Sequence, residues 1–266
     1  MSLKNKILDC AQAAINSKNA FHLFLPKSES TIDHGFKFIL HYYDPVLLKY
    51  LSVLPTERKD NPLLPPFEPN LHVCDLKDGA NHHLLINKYM QCKGHVVISS
   101  VDKNAKQGSD LDILDFNAFE QIFKSFDGEG MMYYNSGLNS GCSQLHKHLQ
   151  YTPVEELPIL EAMIEKKLPI HNHVLDLSRM SAKTMLDTYN ELLKMSKSDS
   201  PHDSYNFIIF KNKAFYIPRK ISQHKCGIVL NSFAISGNYS LWTWSDLMIK
   251  EKPLQILKDV CFPTVY

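Results

Sequence analysis

The sequence lacks any run of about 18 apolar residues, so no segment of it reads as a membrane-crossing helix. It also lacks a C-x-x-C pair. Its cysteines, Cys10, Cys74, Cys92, Cys142, Cys226 and Cys261, are too sparse for a disulfide scaffold. The opening stretch does not read as a secretory signal, because Asp9 breaks its apolar pattern. Reduced thiols and a cytoplasmic setting with access to the nucleus are therefore expected. An excess of either charge is missing too: 29 Lys and Arg stand against 28 Asp and Glu, a formal net of +1. That balance excludes the broad basic surface on which long nucleic acids are held. Arginine is scarce, with Arg58, Arg179 and Arg219 alone, so the positive charge is nearly all lysine.

What is present suits a folded chain. Of 266 residues, 44 % are apolar and 21 % charged, which is enough for a sizeable core in one large domain or two small ones. Leu3, Ile7, Ala11, Ala14 and Ile15 recur at helical spacing and predict an amphipathic first helix. Residues 36–43 predict a strand, and the Pro-rich stretch 54–70 predicts a long surface loop. Apolar runs at 83–87 and 95–101 predict a hairpin-like pair, and those at 205–210 and 214–217 predict a second. Helices are predicted over 111–126, with Asp110 or Asp112 as cap and Gly128 past the end, over 181–196 and over 252–260. Strands are predicted at 131–135 and 146–152, and a linker at 197–204. This pattern implies an α+β fold, a mostly antiparallel sheet with flanking helices, whose two hairpins hint at two related halves.

The chemistry is concentrated between Tyr133 and Thr152. In a strand, residues two apart share a face, so His146, His148 and Gln150 point one way while Lys147, Leu149 and Tyr151 point the other. Three polar groups on one face are costly unless they meet a ligand or each other. Upstream, the small residues Gly137 to Gly141 can turn successive backbone N–H groups toward an anion, and Cys142, Ser143 and Gln144 follow. A lone H-x-H is more often a pair of satisfied histidines, but the loop before it and Gln150 behind it point to a phosphate site. A neutral imidazole is a competent nucleophile near pH 7. Gln150 can donate hydrogen bonds but cannot take a proton from water, which disfavours hydrolysis and suits an acceptor that is already an anion.

This segment resembles the H-x-H-x-Q signature of the nucleotidyltransferase branch of the histidine-triad superfamily, the galactose-1-phosphate-uridylyltransferase-like branch. Within that branch the chain resembles the diadenosine tetraphosphate phosphorylases, or ATP adenylyltransferases. Asn87-Lys88, Asn135-Ser136, residues 141–144, Tyr205-Asn206, Pro218-Arg219, Asn231-Ser232 and the ending 256–263 carry the likeness, which runs from about Lys27 to Pro263. The resemblance implies a single HIT-like domain over 1–266 and reversible phosphorolysis of diadenosine tetraphosphate to ATP and ADP through an adenylyl-histidine. It implies His148 as nucleophile, Gln150 as the group that steadies the intermediate and His146 as a phosphate contact. Asn135, Ser136, Gly141, Cys142, Ser143 and Gln144 are then expected to bind substrate, together with Asn87, Lys88, His83, Asn206 and Arg219. The implied partners are the dinucleotide, ATP, ADP, AMP and inorganic phosphate, with no long nucleic acid and no membrane. A monomer is expected. No cofactor is required on this reading. A Mg2+ ion could assist by neutralising polyphosphate charge, and no protein ligand for it is named.

Three other readings stay open: a hydrolase of the same dinucleotides, a uridylyl or guanylyl sugar-nucleotide transferase, and a nucleotide sensor with a spent site. The intact His146, His148 and Gln150 argue against the last. His72, Cys74, His82 and His83 lack the spacing of a zinc site, so a packing or phosphate-facing role is expected. His171-Asn-His173 spells a nuclease motif without its metal context or basic surroundings. Trp242 and Trp244 are expected to pack.

Overall fold

A computed structural model describes residues 1–52, 61–165, 167–199, 202–241 and 247–264. Trp242 and Trp244 lie outside the described residues, as do 54–60 of the Pro-rich stretch. The chain opens on α1 (Leu3–Asn16), capped by the Ser2 side chain, and its Ile7, Ala11 and Ala14 are buried as the spacing requires. Strands β1 (Phe21–His22), β2 (Phe24–Asp33) and β3 (Phe36–Tyr43) follow, then α2 (Pro45–Ser52). Next come β4 (His72–Leu76), β5 (His82–Ile86), β6 (Tyr89–Met90), β7 (Val96–Ser100) and α3 (Ile113–Ser125). Strand β8 (Met131–Ser136) leads through one 3-10 turn to β9 (His148–Thr152). Then come α4 (Pro158–Ile164), β10 (His173–Asp176), α5 (Ala182–Asp199), β11 (Tyr205–Phe210) and β12 (Lys213–Pro218). The final elements are α6 (Ser232–Ile235), β13 (Asn238–Leu241), α7 (Leu247–Glu251) and α8 (Pro253–Val260).

Eight strands form one sheet in the order β10-β12-β11-β8-β9-β7-β5-β4, antiparallel throughout. The two expected hairpins, β5/β7 and β11/β12, sit on either side of the central β8–β9 pair. The parallel pairings, β13 with β3 and β1 with β6, lie outside this sheet. The α+β expectation therefore stands. Polar β2 escaped it because an edge strand needs no apolar run, and the first residues of the expected linker belong to α5.

The central strands are buried on both faces, which explains their continuous apolar runs. One face packs on helical residues such as Phe116, Phe119, Tyr189 and Leu192. The other, over β8, β11 and β12, meets Leu160, Tyr239 and Ile256. Over β5 and β7 the same face carries, among the described residues, a small cluster of Leu63, Leu85 and Val97, with Phe67 against it. That thin cover leaves room for a cleft beside β9.

On the helical face, Lys147 Nζ lies 2.6 Å from Asp115 Oδ2, and His82 Nε2 lies 3.0 Å from Asp115 Oδ1. Asp115 also accepts from the Asp112 N–H and so closes a capping box on α3. Burial by itself would raise the Asp115 carboxyl, but His82 and Lys147 hold it below its ordinary value. Removing one partner of a buried pair leaves a charge without compensation, so Asp115→Asn should lower stability by about 3 kcal/mol at pH 7. A carboxyl whose folded pKa is depressed contributes fully above its unfolded pKa of about 3.9, and the contribution is lost as pH falls through the lower folded value. Urea melts of wild type and variant should therefore differ at pH 7 and converge in strong acid. Equal midpoints at pH 7 would remove the pair from the account of stability.

Candidate active site

A cleft of about 750 Å³ opens over β5, β7 and β9. Leu63, Phe67, Leu71, Leu85 and Val97 supply its apolar side. Asn87, Lys88, Ser143, Gln144, His148 and Gln150 supply its polar side. The register explains the grouping, since Val97 stands opposite Gln150 on β9 and opposite Leu85 on β5. The expected alternation holds: Leu149 and Tyr151 enter the helical core, and Lys147 meets Asp115 there.

His148 Nδ1 lies 2.8 Å from the His146 carbonyl oxygen. A carbonyl can only accept, so Nδ1 carries the proton and Nε2 keeps its lone pair. Burial pushes the imidazole down to about 4, against a smaller opposite effect of that backbone bond. It is thus neutral and nucleophilic near pH 7. The backbone of His148 is held as well. Its N–H donates to Gln107 Oε1 at 2.8 Å, and its carbonyl accepts from Gln107 Nε2 at 3.0 Å.

Gln150 is fixed by its oxygen. Oε1 accepts from Tyr133 Oη at 3.0 Å, from His95 Nε2 at 2.9 Å and from Asn87 Nδ2 at 3.3 Å. The Gln91 N–H donates to His95 Nδ1, which leaves the His95 proton on Nε2 as this arrangement needs. With the oxygen so occupied, the amide N–H groups are the end that Gln150 offers to the cleft it lines.

His146 is placed differently from its expected role. It precedes β9, and its Nε2 donates to the Ser100 carbonyl oxygen at 2.8 Å. It does not line the cleft, and it reaches the site through its carbonyl, which orients His148. Among the loop residues, Ser143 and Gln144 line the cleft. Cys142 Sγ turns back to the Gly137 carbonyl at 3.3 Å, and Ser136 is buried opposite Tyr205. Gly137 and Gly141 have φ of +78° and +80°. A Cβ at either would come within 2.4 Å of a backbone oxygen, that of Asp203 or Leu230, so both positions need glycine.

Asn135, Asn206 and Arg219 form a buried network behind this loop. Asn135 Oδ1 accepts from Asn206 Nδ2 at 2.8 Å and from the Ser232 hydroxyl at 2.6 Å. Asn206 Nδ2 also donates to the Ser140 carbonyl at 2.9 Å. Arg219 donates to Asn206 Oδ1 at 2.6 Å and to the Leu230 carbonyl at 2.7 Å. Burial lowers its guanidinium from the ordinary value. None of these three lines the cleft. They fasten the loop to the C-terminal segment.

Lys88 lines the cleft but already pairs with Glu68, at 2.9 and 3.1 Å from its two oxygens. His83 lies behind Phe67 and bonds Asp75 at 2.7 Å. His171 and His173 place their Nε2 atoms 3.1 Å apart, away from this cleft. Gln107, His95 and Glu68 are neighbours of this candidate site that sequence reasoning missed, and Tyr133 stood in the singled-out segment with its role undecided between packing and a base pocket. Of the three missed, His95 alone carried a signal, as a polar residue at the mouth of an apolar run.

The arrangement offers a neutral imidazole with an open nitrogen beside fixed amide donors, on the rim of an apolar wall. It suits nucleophilic attack on a phosphate ester attached to a flat apolar group. Family models agree in kind. That of the Ap4A phosphorylase N-terminal domain matches residues 1–176, and that of the ATP adenylyltransferase C-terminal domain matches residues 166–263. No curated protein sequence matches the chain. Among solved structures, yeast Ap4A phosphorylase Apa2 in complex with Ap4A superposes with a TM-score of 0.83 at 20 % identity, over 100 % of both chains. The structure of Apa2 without that ligand gives 0.81 at 20 % identity, again over 100 % of both chains. The AMP complex gives 0.81 at 20 % identity, over 100 % of this chain and 99 % of that one.

Proposed function

The chain belongs to the Ap4A phosphorylase family, and we propose that it cleaves diadenosine tetraphosphate with inorganic phosphate, giving ATP and ADP, by way of His148. In the first displacement the His148 Nε2 lone pair forms a bond to an α-phosphorus. The P–O bond to the other three phosphates breaks, and ATP leaves with that electron pair. The imidazole becomes cationic in this step, its proton stays on Nδ1, and that N–H goes on donating to the His146 carbonyl. In the second, an oxygen of inorganic phosphate attacks the same phosphorus, the N–P bond breaks, and ADP leaves. His148 ends neutral, as it began.

The observation that carries this reading is the pinned Gln150. Three donors fix its oxygen, so its N–H groups face the site and stabilise charge on the non-bridging oxygens. Among the described residues that line the cleft the one carboxylate is Glu68, and it is committed to Lys88 rather than to activating water. The phosphate ion needs no such activation. The wall of Leu63, Phe67, Leu85 and Val97 is the place for a base, and Ser143 and Gln144 are placed for phosphate oxygens. Mg2+ would arrive as a partner of the polyphosphate rather than as a resident ion. One domain over 1–266 is supported by the main sheet, which draws strands from 72–152 and from 173–218. The monomer and the cytoplasmic setting remain part of the proposal; no helix among the described residues is long and apolar enough to cross a membrane.

The test is one incubation with diadenosine tetraphosphate, labelled inorganic phosphate and 18O-water. Label in ADP and none of the 18O in nucleotide is the expected result. Phosphate-independent turnover with 18O in the product would make the protein a hydrolase.

A further inference from the structure

Strand β4 is the outer strand of the eight-stranded sheet, and a slip in its register brings three side chains together. Asp75 stands opposite His83 and Cys74 opposite Leu84, but His72 stands opposite Leu85. One extra residue is therefore accommodated between His72 and Cys74. Three apart in a regular strand, His72 and Asp75 would face opposite sides of the sheet. The bulge turns His72 onto the side of Asp75 and His83. His72 Nε2 lies 2.9 Å and His83 Nδ1 2.7 Å from the same Asp75 oxygen, Oδ1. Cys74 and His82 are turned the other way, the first against the helical core and the second onto Asp115.

We propose that His72, Asp75 and His83 bind a divalent transition metal ion of the Zn2+ class. Two imidazoles and one carboxylate are the donor set that such ions take, and a hard ion such as Mg2+ or Ca2+ would demand oxygens instead. Metal–ligand bonds of about 2.1 Å at the tetrahedral angle place neighbouring donors about 3.4 Å apart, so the side chains need to spread by little more than about half an ångström to admit the ion. All three donor atoms lie within 4.8 Å of one another. The site is open to solvent: the His72 and Asp75 side chains are 38 % and 46 % exposed, and His83 is 11 % exposed. Entry is thus unobstructed, and coordination positions remain for water or a phosphate oxygen. Phe67 ties the site to the cleft. Its ring stacks on His72 with centroids 4.9 Å apart, meets the edge of His83 at 5.0 Å, and also lines the cleft. An ion held by the two imidazoles would fix that wall.

Bound metal is the readout, so the test does not depend on the phosphorolysis. Chelator-stripped protein is titrated with Co2+, followed by visible absorption and by metal content after dialysis. Saturation at one ion per chain is expected, with Asp75→Asn and His72→Gln each weakening binding by at least about 10-fold. His173→Gln, which alters the separate histidine pair, should bind as wild type does. Both ligand variants change exposed edge-strand side chains, and thermal melts identify any that fails to fold. Should both fail, His83→Gln replaces them as the variant read. No saturation by about 1 mM Co2+ would mean that the cluster is a pair of plain hydrogen bonds and would overturn the proposal. So would undiminished binding in the folded ligand variants, or loss of it in His173→Gln.

Discussion

Replacing His148 with alanine should lower turnover of diadenosine tetraphosphate by at least about 10^4-fold while nucleotide binding persists. The imidazole forms the bond to phosphorus and contributes little to ground-state contact, so the loss belongs in kcat and not in the dissociation constant. A second readout separates this role from general damage. Without inorganic phosphate, substrate labelled in its adenosine should leave label on the wild-type protein and none on the variant. The free-enzyme profile adds a signed expectation. Burial holds His148 at about 4, and protonation removes its lone pair. Thus kcat/KM should be level from about pH 8 to about pH 5 and fall below that. His95, also pushed down to about 4 by burial, titrates in the same range; it takes its proton at Nδ1 and so loses the bond from the Gln91 N–H. Full activity in the alanine variant, or a labelled variant protein, would transfer the nucleophile elsewhere.

The family that the H-x-H-x-Q segment resembles is the family the chain belongs to, and there is a physical reason why that part was legible. Two-residue periodicity is local, so His148 and Gln150 could be set on one face of a strand without knowing its neighbours. The same periodicity misjudged His146. The bridge to Lys106 and the bond to Ser100 decide its place, and both partners are at least 40 residues away in sequence. Asn206 and Arg219 were likewise read as substrate contacts. Their partners, Asn135, Ser140 and Leu230, are brought to them by tertiary packing that no spacing rule announces. Lys88 had the right position but an unseen partner in Glu68. In the Pro-rich stretch that carries Phe67 and Glu68, only the loop itself was legible. The bulge in β4 was equally silent, so the histidines at 72, 82 and 83 could be counted but not sorted by face.

Gln107 gave no signal at all, yet its removal is expected to have the second largest effect. Strands β8 and β9 pair as far as Tyr133 with Gln150, and the same register would set Asn135 opposite His148. There the strands part, and the Gln107 side-chain amide fills the gap. Its nitrogen donates to the Asn135 carbonyl at 2.8 Å and to the His148 carbonyl at 3.0 Å. Its oxygen accepts the His148 N–H at 2.8 Å. Gln107→Leu strips these three buried backbone groups of their partner, at about 1–3 kcal/mol each. Stability should fall by at least about 3 kcal/mol in urea melts. With the His148 backbone released, Nε2 loses its line to the phosphorus, and a displacement of about 1 Å can slow a reaction 100-fold. The expected outcome, measured where the variant is still folded, is a fall of about that size in kcat with KM little changed. Gln107→Glu keeps the acceptor for the His148 N–H but loses both donors, so it should retain more activity than the leucine variant. A folded Gln107→Leu protein with wild-type kcat would show that the amide only holds the strands together and has no part in aiming His148.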